Sequence, residues 1–303
     1  MELNDLDLAS RAVFNGYLKP FRYIASTYSF TNLYLWRRMQ NIRFHADADA
    51  LYIVKGRKDP TFLPPVVKDS GNASRSYSKL ISHLLENGMP LRIRDARAED
   101  VELMLSLGLE FEATEDIDNN EYVYLVEKLR TFSGKKLHSK KNHYNNFIKN
   151  YEFETKPLED SREEAKEFAR KWFSESSQSE SLLEELNGII ELLDNMEHFD
   201  IVGLSVFIDG HCHGFTIMEI LNSDCILNHI EKADQSINGL YTFIIKTVLD
   251  SYGEGIRYTN REQDLGIPGL RKSKQSLHPE FMEKKFLVNL TGGFDNLKDM
   301  QST

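Results

Sequence analysis

The chain has 303 residues, of which 41% are apolar and 28% charged, so it can bury a large core and is expected to form two domains. Its apolar runs are shorter than the roughly 18 to 20 residues of a membrane-spanning helix, and its acidic start lacks the basic region of a signal peptide. Cys212 and Cys225 provide no disulfide framework. These features predict a soluble, cytoplasmic protein without an integral membrane segment.

Charge is distributed unevenly along the chain. The net charge of −10 (37 Lys and Arg against 47 Asp and Glu) argues against DNA binding and against general nucleic-acid binding. Residues 128–149, called the basic segment below, contain seven Lys or Arg, two His and no acidic residue, which leaves −17 for the rest of the chain. Residues 159–200 have thirteen acidic and four basic residues. A positive segment on an acidic protein favours an anionic ligand.

The first half mixes predicted strands with predicted helices. The predicted strands are 51–54, 61–67 and 121–127. The predicted helices are 76–87, 99–107 and about 135–151. Pro64 and Pro65 interrupt the second strand, and Gly88 and Gly108 end the first two helices.

The helix at 135–151 carries most of the basic segment. Its apolar stripe is predicted to contain Leu137, Tyr144, Phe147, Ile148 and Tyr151, with Lys136, Lys140 and His143 away from it. One interpretation is an ordinary amphipathic helix with a solvated basic face. The other is a surface that binds the phosphates of a donor substrate such as a tRNA. The residues assigned to that role are Lys135, Lys136, Lys140, Lys141 and His143.

A domain boundary is predicted near residues 152–160, which gives domains 1–155 and 156–303. The second half is predicted to contain two helices, a three-stranded meander, a helix and a short strand. These elements are 161–173, 181–196, 201–208, 214–221, 225–231, 239–249 and 256–259. Asp209-Gly210 is a strong two-residue hairpin signal. A segment rich in charged, amide and glycine residues, 258–274, follows the last strand and suggests a site.

This order of elements resembles the GNAT acyltransferase fold. The resemblance implies an α+β class with two tandem GNAT-like domains, each a mixed, mostly antiparallel sheet flanked by helices. Order of elements is evidence of fold and does not fix function.

Four motifs resemble an uncharacterised bacterial family that is grouped with the C-terminal catalytic domain of phosphatidylglycerol lysyltransferases. They are Gly134-Lys-Lys-Leu-His-Ser-Lys-Lys-Asn-His143, His229-Ile-Glu-Lys-Ala-Asp234, Asn260-Arg-Glu-Gln-Asp-Leu-Gly266 and Gly269-Leu-Arg-Lys-Ser-Lys274. The resemblance covers nearly the whole chain. The lysyltransferases have Lys-x-Lys-aromatic-x-Pro near the C-terminus, whereas this chain keeps Lys274 and Pro279 but has Ser276 and Leu277 between them. The acceptor is therefore left open between a small molecule and a lipid-like compound.

In GNAT-like domains the donor's phosphates bind at the start of the helix after the third meander strand, where free backbone N–H groups and the helix dipole favour anions. In this chain that position is residues 234–239. The resemblance assigns phosphate binding to Gln235, Asn238 and Gly239, although the usual loop of the fold is matched only in part. An ordinary helix start is the alternative.

Three residues near this position are candidates for catalysis. Glu231 and His229 are predicted on one face of the third meander strand, and either could act as a general base. His229 alone is more simply explained as a satisfied, half-buried histidine, whereas a carboxylate on a central strand needs a partner. Tyr241 could protonate a leaving group. His211 and His213 offer two imidazoles without a third ligand in view, so no metal site is predicted.

The segment after the last strand is predicted to bind substrate. Its cations could hold a phosphate or carboxylate, Arg in bidentate fashion and Lys as a point charge. Alternatively, its carboxylates pair with these cations in structural salt bridges. The predicted substrate-binding residues are Asn260, Arg261, Glu262, Asp264, Arg271 and Lys274.

Three functions are consistent with these features. The first is an acyl or aminoacyl transferase that uses an acyl-CoA or an aminoacyl-tRNA as donor and an amine or hydroxyl as acceptor. The second is a non-catalytic GNAT-like module that senses an anionic metabolite, which the weak phosphate loop favours. In the third, the basic segment contacts anionic lipid head groups. No further cofactor is predicted.

Overall fold

The structure, a computed structural model, describes residues 1–299 and divides the chain into two compact units. The first unit contains Met1–Phe21, Trp36–Asn120 and residues 283–299. The second unit contains Arg22–Leu35 and Glu121–Met282. This division differs from the predicted one after residue 155, because the strands between residues 121 and 157 pair with the meander sheet.

The six predicted helices are all present, together with five described helices that the sequence did not predict. In chain order they are α1 Arg11–Leu18, α2 Phe30–Leu35, α3 Ala73–Glu86, α4 Ala98–Ser106, α5 Val126–Thr131, α6 His138–Asn150, α7 Arg162–Ser174, α8 Glu180–Asp194, α9 Leu240–Tyr252, α10 Pro268–Gln275 and α11 Asn296–Asp299. Gly88 and Gly108 follow α3 and α4 at φ values of 60° and 72°, in the left-handed region that favours glycine.

The strands form two sheets. In chain order they are β1 Asn4–Asp5, β2 Arg43–Ala46, β3 Ala50–Lys55, β4 Thr61–Phe62, β5 Val66–Val67, β6 Arg92–Ala96, β7 Glu110–Glu115, β8 Glu121–Leu125, β9 Phe153–Pro157, β10 Ile201–Ile208, β11 His211–Asn222, β12 Cys225–Ala233, β13 Tyr258–Asn260, β14 Phe281–Glu283 and β15 Phe286–Gly292. Pro64 and Pro65 separate β4 from β5, as predicted, because proline has no N–H for the ladder.

The first unit is built on an eight-stranded sheet in the order β1-β2-β3-β4-β6-β15-β7, with β5 also paired to β3. The pairings are antiparallel except that between β4 and β6. Its core includes Tyr52, Phe62, Tyr77, Ile93 and Val288. The strand β15, which comes last in the sequence, is inserted between β6 and β7, a pairing that the sequence did not predict.

The second unit is built on a seven-stranded sheet in the order β14-β8-β13-β12-β11-β10-β9. The predicted meander is present as β10, β11 and β12, and Asp209 and Gly210 both have positive φ in the turn between the first two. The pairing of β12 with β13 is parallel. The α+β class, with mainly antiparallel mixed sheets flanked by helices, is confirmed.

A β-bulge in β12 reverses part of the predicted side-chain pattern. Opposite β11, Ile217 pairs with Ile230 and Met218 pairs with Asn228, so His229 is an extra residue. Glu231 therefore lies on the same face as Asn228, and His229 lies on the opposite face. The prediction that His229 and Glu231 share a face is wrong, because strict alternation holds only in an unbulged strand.

The helix α9 packs in the core of the second unit, where Leu240, Ile244 and Val248 are buried. Its 13 residues span about 20 Å, less than the thickness of a bilayer core. Nowhere in residues 1–299 is there a helix with the length and apolarity required to cross a membrane.

Candidate functional site

The candidate site lies in the second unit, where β12 and β13 diverge. The two strands pair only from Cys225 to Leu227 on β12, although β12 continues to Ala233. Beyond Leu227, β12 has no further ladder partner on this side within the described residues. The residues that follow on each strand border the place where this ladder ends, called the wedge below. Backbone N–H and C=O groups that a ladder does not use need other partners, which a ligand can supply.

An ion pair between Glu231 and Arg261 occupies the wedge. The two Nη atoms of Arg261 donate to the two carboxylate oxygens of Glu231 at 3.0 and 3.1 Å, and Asn228 Nδ2 donates to Glu231 Oε2 at 3.0 Å. The side chains of Glu231 and Arg261 are 8% and 12% exposed. Because a carboxylate has about four positions that accept hydrogen bonds, one remains for an amine or hydroxyl of a substrate.

A second cation, Lys140 of α6, lies near this pair. Burial, and then the positive charge of Arg261, lower the pKa of Lys140. The side chain is half-buried, whereas Lys136 and Lys141 are exposed. The prediction that Lys140 lies away from the inner stripe of its helix is therefore wrong, because its position is four residues before Tyr144, which packs on the core.

The loop that follows β13 is held by Lys274 of α10. Its Nζ donates to three consecutive carbonyl groups, those of Arg261, of Glu262 at 3.1 Å and of Gln263 at 2.6 Å. Burial lowers the pKa of Lys274 to about 8. The hydroxyl of Tyr124 donates to the Lys274 carbonyl at 2.8 Å. Lys274 therefore positions the backbone that carries Arg261.

Asp264 and Arg271 form a second fixed point of this segment. Arg271 donates from Nε and Nη2 to the Asp264 carboxylate at 2.8 and 2.7 Å, and the Tyr122 hydroxyl donates to it at 2.6 Å. The Arg271 hydrogen bond lowers the pKa of Asp264 to about 2. This pair is a structural salt bridge of the kind that the sequence analysis gave as the alternative to substrate binding.

His229 lies on the other face of β12 between two carboxylates. Its Nδ1 is 2.8 Å from Glu262 Oε1 and its Nε2 is 2.9 Å from Glu219 Oε2, and its side chain is fully buried. Burial opposes its charge, but the hydrogen bonds to Glu219 and Glu262 raise the pKa of His229 to about 9. Ser29 Oγ donates to Glu219, and Asn32 Nδ2 donates to Glu262 at 2.9 Å. A buried imidazolium is not placed to act as a general base at neutral pH.

Asn260 belongs to the same internal frame. Its Nδ2 donates to the carboxylate of Glu121 and to the carbonyl of Ile24, and its Oδ1 accepts from Glu262 N at 2.7 Å. Glu121 also accepts from Ser26 N at 2.8 Å and from Ser26 Oγ at 2.6 Å. Asn260 and Glu262 are thus engaged in holding the segments around the wedge.

The start of α9 is arranged unlike a phosphate-binding loop. The Asp234 carboxylate accepts from Ser236 N at 2.9 Å and from Ser236 Oγ at 2.6 Å. A negatively charged group therefore already occupies that backbone N–H. Gly239 has φ 88°, and a Cβ there would lie 2.3 Å from the His143 carbonyl oxygen. Asn238 Oδ1 is 3.2 Å from His143 Nδ1. Gly239 therefore allows α6 to approach α9 closely.

A cleft of about 240 Å³ lies beside the end of β12. It is lined by Trp172, Phe168 and Lys171 of α7 and by residues 233–236, including Gln235. Tyr241 lies next to Trp172, and burial, together with the Glu231 charge, raises the pKa of its phenol. Tyr241 thus lies between this cleft and the wedge.

Most of the predicted site residues fall into three groups. Glu231, Arg261 and Lys140 come together at the wedge. His229, Asn260, Glu262, Asp264, Arg271 and Lys274 are engaged in internal bonds around it. Lys135, Lys136, Lys141, Gln235 and Asn238 are exposed. The catalytic and binding roles assigned to them stay predictions.

Several residues of the site were missed from the sequence. Glu219 and Glu121 are carboxylates within apolar strands, so the argument that a buried carboxylate needs a partner, applied to Glu231, would have found them as well. Ser26, Ser29 and Asn32 gave no signal, because their partners lie about 95 to 230 residues away in the sequence. Among residues 1–299, no group of three or more His, Cys, Asp or Glu side chains is arranged to hold a metal ion.

The family model described as phosphatidylglycerol lysyltransferase, C-terminal, matches residues 19–289. The chain belongs to this family. The match includes the wedge, the basic segment and the frame around His229. The resemblance drawn from the four sequence motifs is thereby confirmed.

Two similar proteins have no established function. An uncharacterised protein of Mycoplasmoides gallisepticum is 27% identical over 176 residues, which are 57% of this chain and 56% of that protein, so the match spans little more than half of the relative. A crystal structure of a conserved protein of unknown function from Bacteroides thetaiotaomicron has a TM-score of 0.88 and is 28% identical, with 96% of this chain and 100% of the other covered.

Two further solved structures establish the fold. L-PGS from Bacillus licheniformis has a TM-score of 0.66 at 14% identity, covering 98% of this chain and 97% of the other. A tandem GNAT protein from the clavulanic acid biosynthesis pathway has a TM-score of 0.52 at 8% identity, covering 96% and 98%. The prediction of a tandem GNAT-like, acyltransferase-type fold is confirmed.

Proposed function

We propose that this protein is an aminoacyl transferase that moves an aminoacyl group from an aminoacyl-tRNA to the amine or hydroxyl of a small-molecule or lipid-like acceptor. The observation that carries the proposal is the ion pair of Glu231 and Arg261 in the wedge, in a chain of this family. The pair brings a proton acceptor and a cation to the wedge, which is what acyl transfer requires.

In the proposed reaction, the acceptor's nitrogen or oxygen attacks the ester carbonyl of the donor. A new C–N or C–O bond forms, and the bond between the carbonyl carbon and the ribose oxygen breaks. The proton of the acceptor passes to the free position of the Glu231 carboxylate and ends on the departing ribose oxygen. Positive charge at Arg261 stabilises the oxyanion that develops on the way. Tyr241 is the second candidate for delivering the proton to the leaving group.

The start of α9 favours aminoacyl-tRNA over acyl-CoA as the donor. A pyrophosphate would meet the Asp234 carboxylate, which already accepts the Ser236 N–H. The close approach of the His143 carbonyl to Gly239 also reduces the space at the start of α9. The basic segment, in contrast, presents exposed lysines, among them Lys135, Lys136 and Lys141, to a polyanion. Binding through phosphates predicts an affinity that falls steeply with salt.

Transfer is tested by incubating the protein with tRNA charged with labelled amino acids, in the presence of phosphatidylglycerol vesicles or a mixture of small amines. We expect the protein to speed the loss of one or a few amino acids from tRNA and to move the label to an acceptor. Arg261→Lys should lower kcat/KM about 100-fold, because the bidentate geometry is lost while the charge is kept. Arg257→Lys, at an exposed position just before β13, is the matched control and should retain activity.

Two results would contradict the proposal. Modification of an acceptor with acetyl-CoA, but with no aminoacyl-tRNA, would show that the donor is an acyl-CoA. A thermal shift with anionic metabolites, but turnover with neither donor, would favour the sensing module instead.

A further inference from the structure

Helix α6 carries a cation in the middle of its buried stripe. Leu137 and Phe147 are buried in the core, and Tyr144 and Tyr151 pack against it. Lys140 follows Leu137 by three residues and precedes Tyr144 by four, so it occupies the same stripe. An apolar side chain is the usual choice at such a position, and a lysine there needs a reason.

The position of Lys140 is set by the packing of α6 on α9. The rings of Phe147 and Tyr144 lie 4.5 and 5.8 Å from the ring of Phe243, centroid to centroid. The close contact of the His143 carbonyl with Gly239 fixes the same face. The packing of α6 on α9 therefore fixes the side of the helix that carries Lys140, and Lys140 lies close enough to Arg261 for the two charges to interact.

The charges around Lys140 are not balanced. Within the part of the chain that the structure describes, its ammonium makes no hydrogen bond and no ion pair, and the charged group that acts on it is the cation of Arg261. Glu231, the carboxylate in the wedge, is bonded to Arg261 in bidentate fashion. A half-buried cation next to another cation is costly unless an anion joins them.

Arg261 is also incompletely bonded. Its Nε is buried and has no hydrogen-bond partner among residues 1–299, and the same is true of Gln263 Oε1 two residues later. Most buried polar atoms in folded proteins are satisfied, so two orphans in one short loop point to a group that the protein alone does not provide.

We propose that Lys140 and Arg261 form a subsite that binds a phosphate group of a substrate at the wedge. The assignment rests on the proposed function and deepens it, because both substrates of that function can carry this group. One source is the nucleotide at the 3′ end of the tRNA, and the other is the head group of a glycerophospholipid acceptor. The subsite supplies an anchor close to the reacting atoms.

Binding is measured by calorimetry with four probes, which are AMP, adenosine, glycerophosphoglycerol and glycerol. If the subsite takes the nucleotide, AMP should bind at least tenfold more tightly than adenosine. If it takes the acceptor head group, glycerophosphoglycerol should bind at least tenfold more tightly than glycerol. In either case Lys140→Met should abolish that preference, since a charge-assisted hydrogen bond contributes about ten- to a hundredfold in Kd.

Three variants make the test specific. Lys140→Arg keeps the charge and should keep the preference in part. Lys141→Met removes a charge from the adjacent, exposed position and should leave the preference of these small probes unchanged. Lys140→Met should also raise the midpoint of thermal unfolding without ligand, because it removes a half-buried cation that has no partner in the described residues.

The subsite is overturned if neither phosphate probe is preferred, if Lys140→Met and Lys141→Met act alike, or if Lys140→Met lowers the unfolding midpoint. These readouts do not depend on turnover. Failure of the tRNA assay with a preserved, Lys140-dependent phosphate preference would therefore contradict the aminoacyl transfer and leave the subsite standing. Aminoacyl transfer without a preference for the phosphate probes would contradict the subsite and leave the proposed function standing.

Discussion

The two faces of β12 differ in how completely their polar groups are bonded. On one face, His229 is fully buried between Glu219 and Glu262, and these carboxylates also accept from Ser29 and Asn32. On the other face, the ion pair of Glu231 and Arg261 leaves a carboxylate position and the Arg261 Nε unused, and Lys140 lies near it without a partner in the described residues.

The difference separates a structural cluster from a candidate site. A buried network whose charged groups are bonded to one another fixes the surrounding segments and offers little to a ligand. A cluster with excess positive charge and unsatisfied atoms costs free energy in the folded protein, and such a cost is typical of sites that bind or transform a ligand. The histidine, which is the residue most often assigned to catalysis, belongs here to the structural face.

The largest expected effect is on the face of His229. His229→Gln should lower the free energy of unfolding by about 3 to 5 kcal/mol, because it leaves two buried carboxylates without their cation. His211→Gln, at an exposed position on β11, is the matched control and should change stability little. Urea unfolding of both variants measures the difference. Equal, small losses would contradict the structural role of the cluster.

The same cluster predicts a dependence of stability on pH. The pKa of His229 is raised from 6.5 to about 9 in the folded protein, so the folded state binds the proton more tightly than the unfolded state. Its stabilisation is complete below pH 6.5 and is lost as the pH rises through 9, by about 3 kcal/mol in all.

Lys274 has the opposite effect on the free energy of unfolding. Its pKa in the folded protein is about 8, below the ordinary value of 10.5, so the cost of burying its charge decreases as the pH rises from 8 to 10.5. The difference between wild type and His229→Gln, measured from pH 6 to 9.5, therefore isolates the histidine. A difference that does not change with pH would contradict the assignment of a charged His229.

The smallest expected effect concerns the placement of α6, which carries Lys140. Gly239 and Gly210 have φ values of 88° and 78°, but a Cβ on Gly239 would meet the His143 carbonyl, whereas one on Gly210 would meet nothing within 4 Å. Gly239→Ala should thus lower the free energy of unfolding by about 1 to 2 kcal/mol more than Gly210→Ala. Both glycines have positive φ, so the comparison isolates the contact between α6 and α9. Equal losses would show that α6 is not tightly seated.

Much of the fold was accessible from sequence because its signals are local. The Asp209-Gly210 turn, the alternation in β10 to β12 and the glycine stops of α3 and α4 each depend on a few neighbouring residues. The pairing of β15 with β6 and β7 was not predicted, because these contacts join residues 171 to 197 positions apart and no short-range pattern records them.

The candidate site was accessible in part. Glu231 and Arg261 were named separately from their motifs, but their bidentate pair depends on where β12 and β13 diverge. The bulge at His229 changed which residues share a face. It was not predicted, because one extra residue in a strand does not change the composition of the sequence in a recognisable way. The sequence analysis predicts Lys140 away from the apolar stripe, whereas its spacing from Leu137 and Tyr144 places it on that stripe.

The sequence by itself determined the elements, the class of fold and the family-like motifs, because periodicity, turn residues and short motifs are properties of neighbouring residues. The tertiary structure alone decided which charges are compensated. The ionisation of His229, the pairing of Arg261 and the exposed state of each lysine depend on burial and on partners that are distant in the chain, and electrostatic free energy is set by those distances and by the exclusion of water.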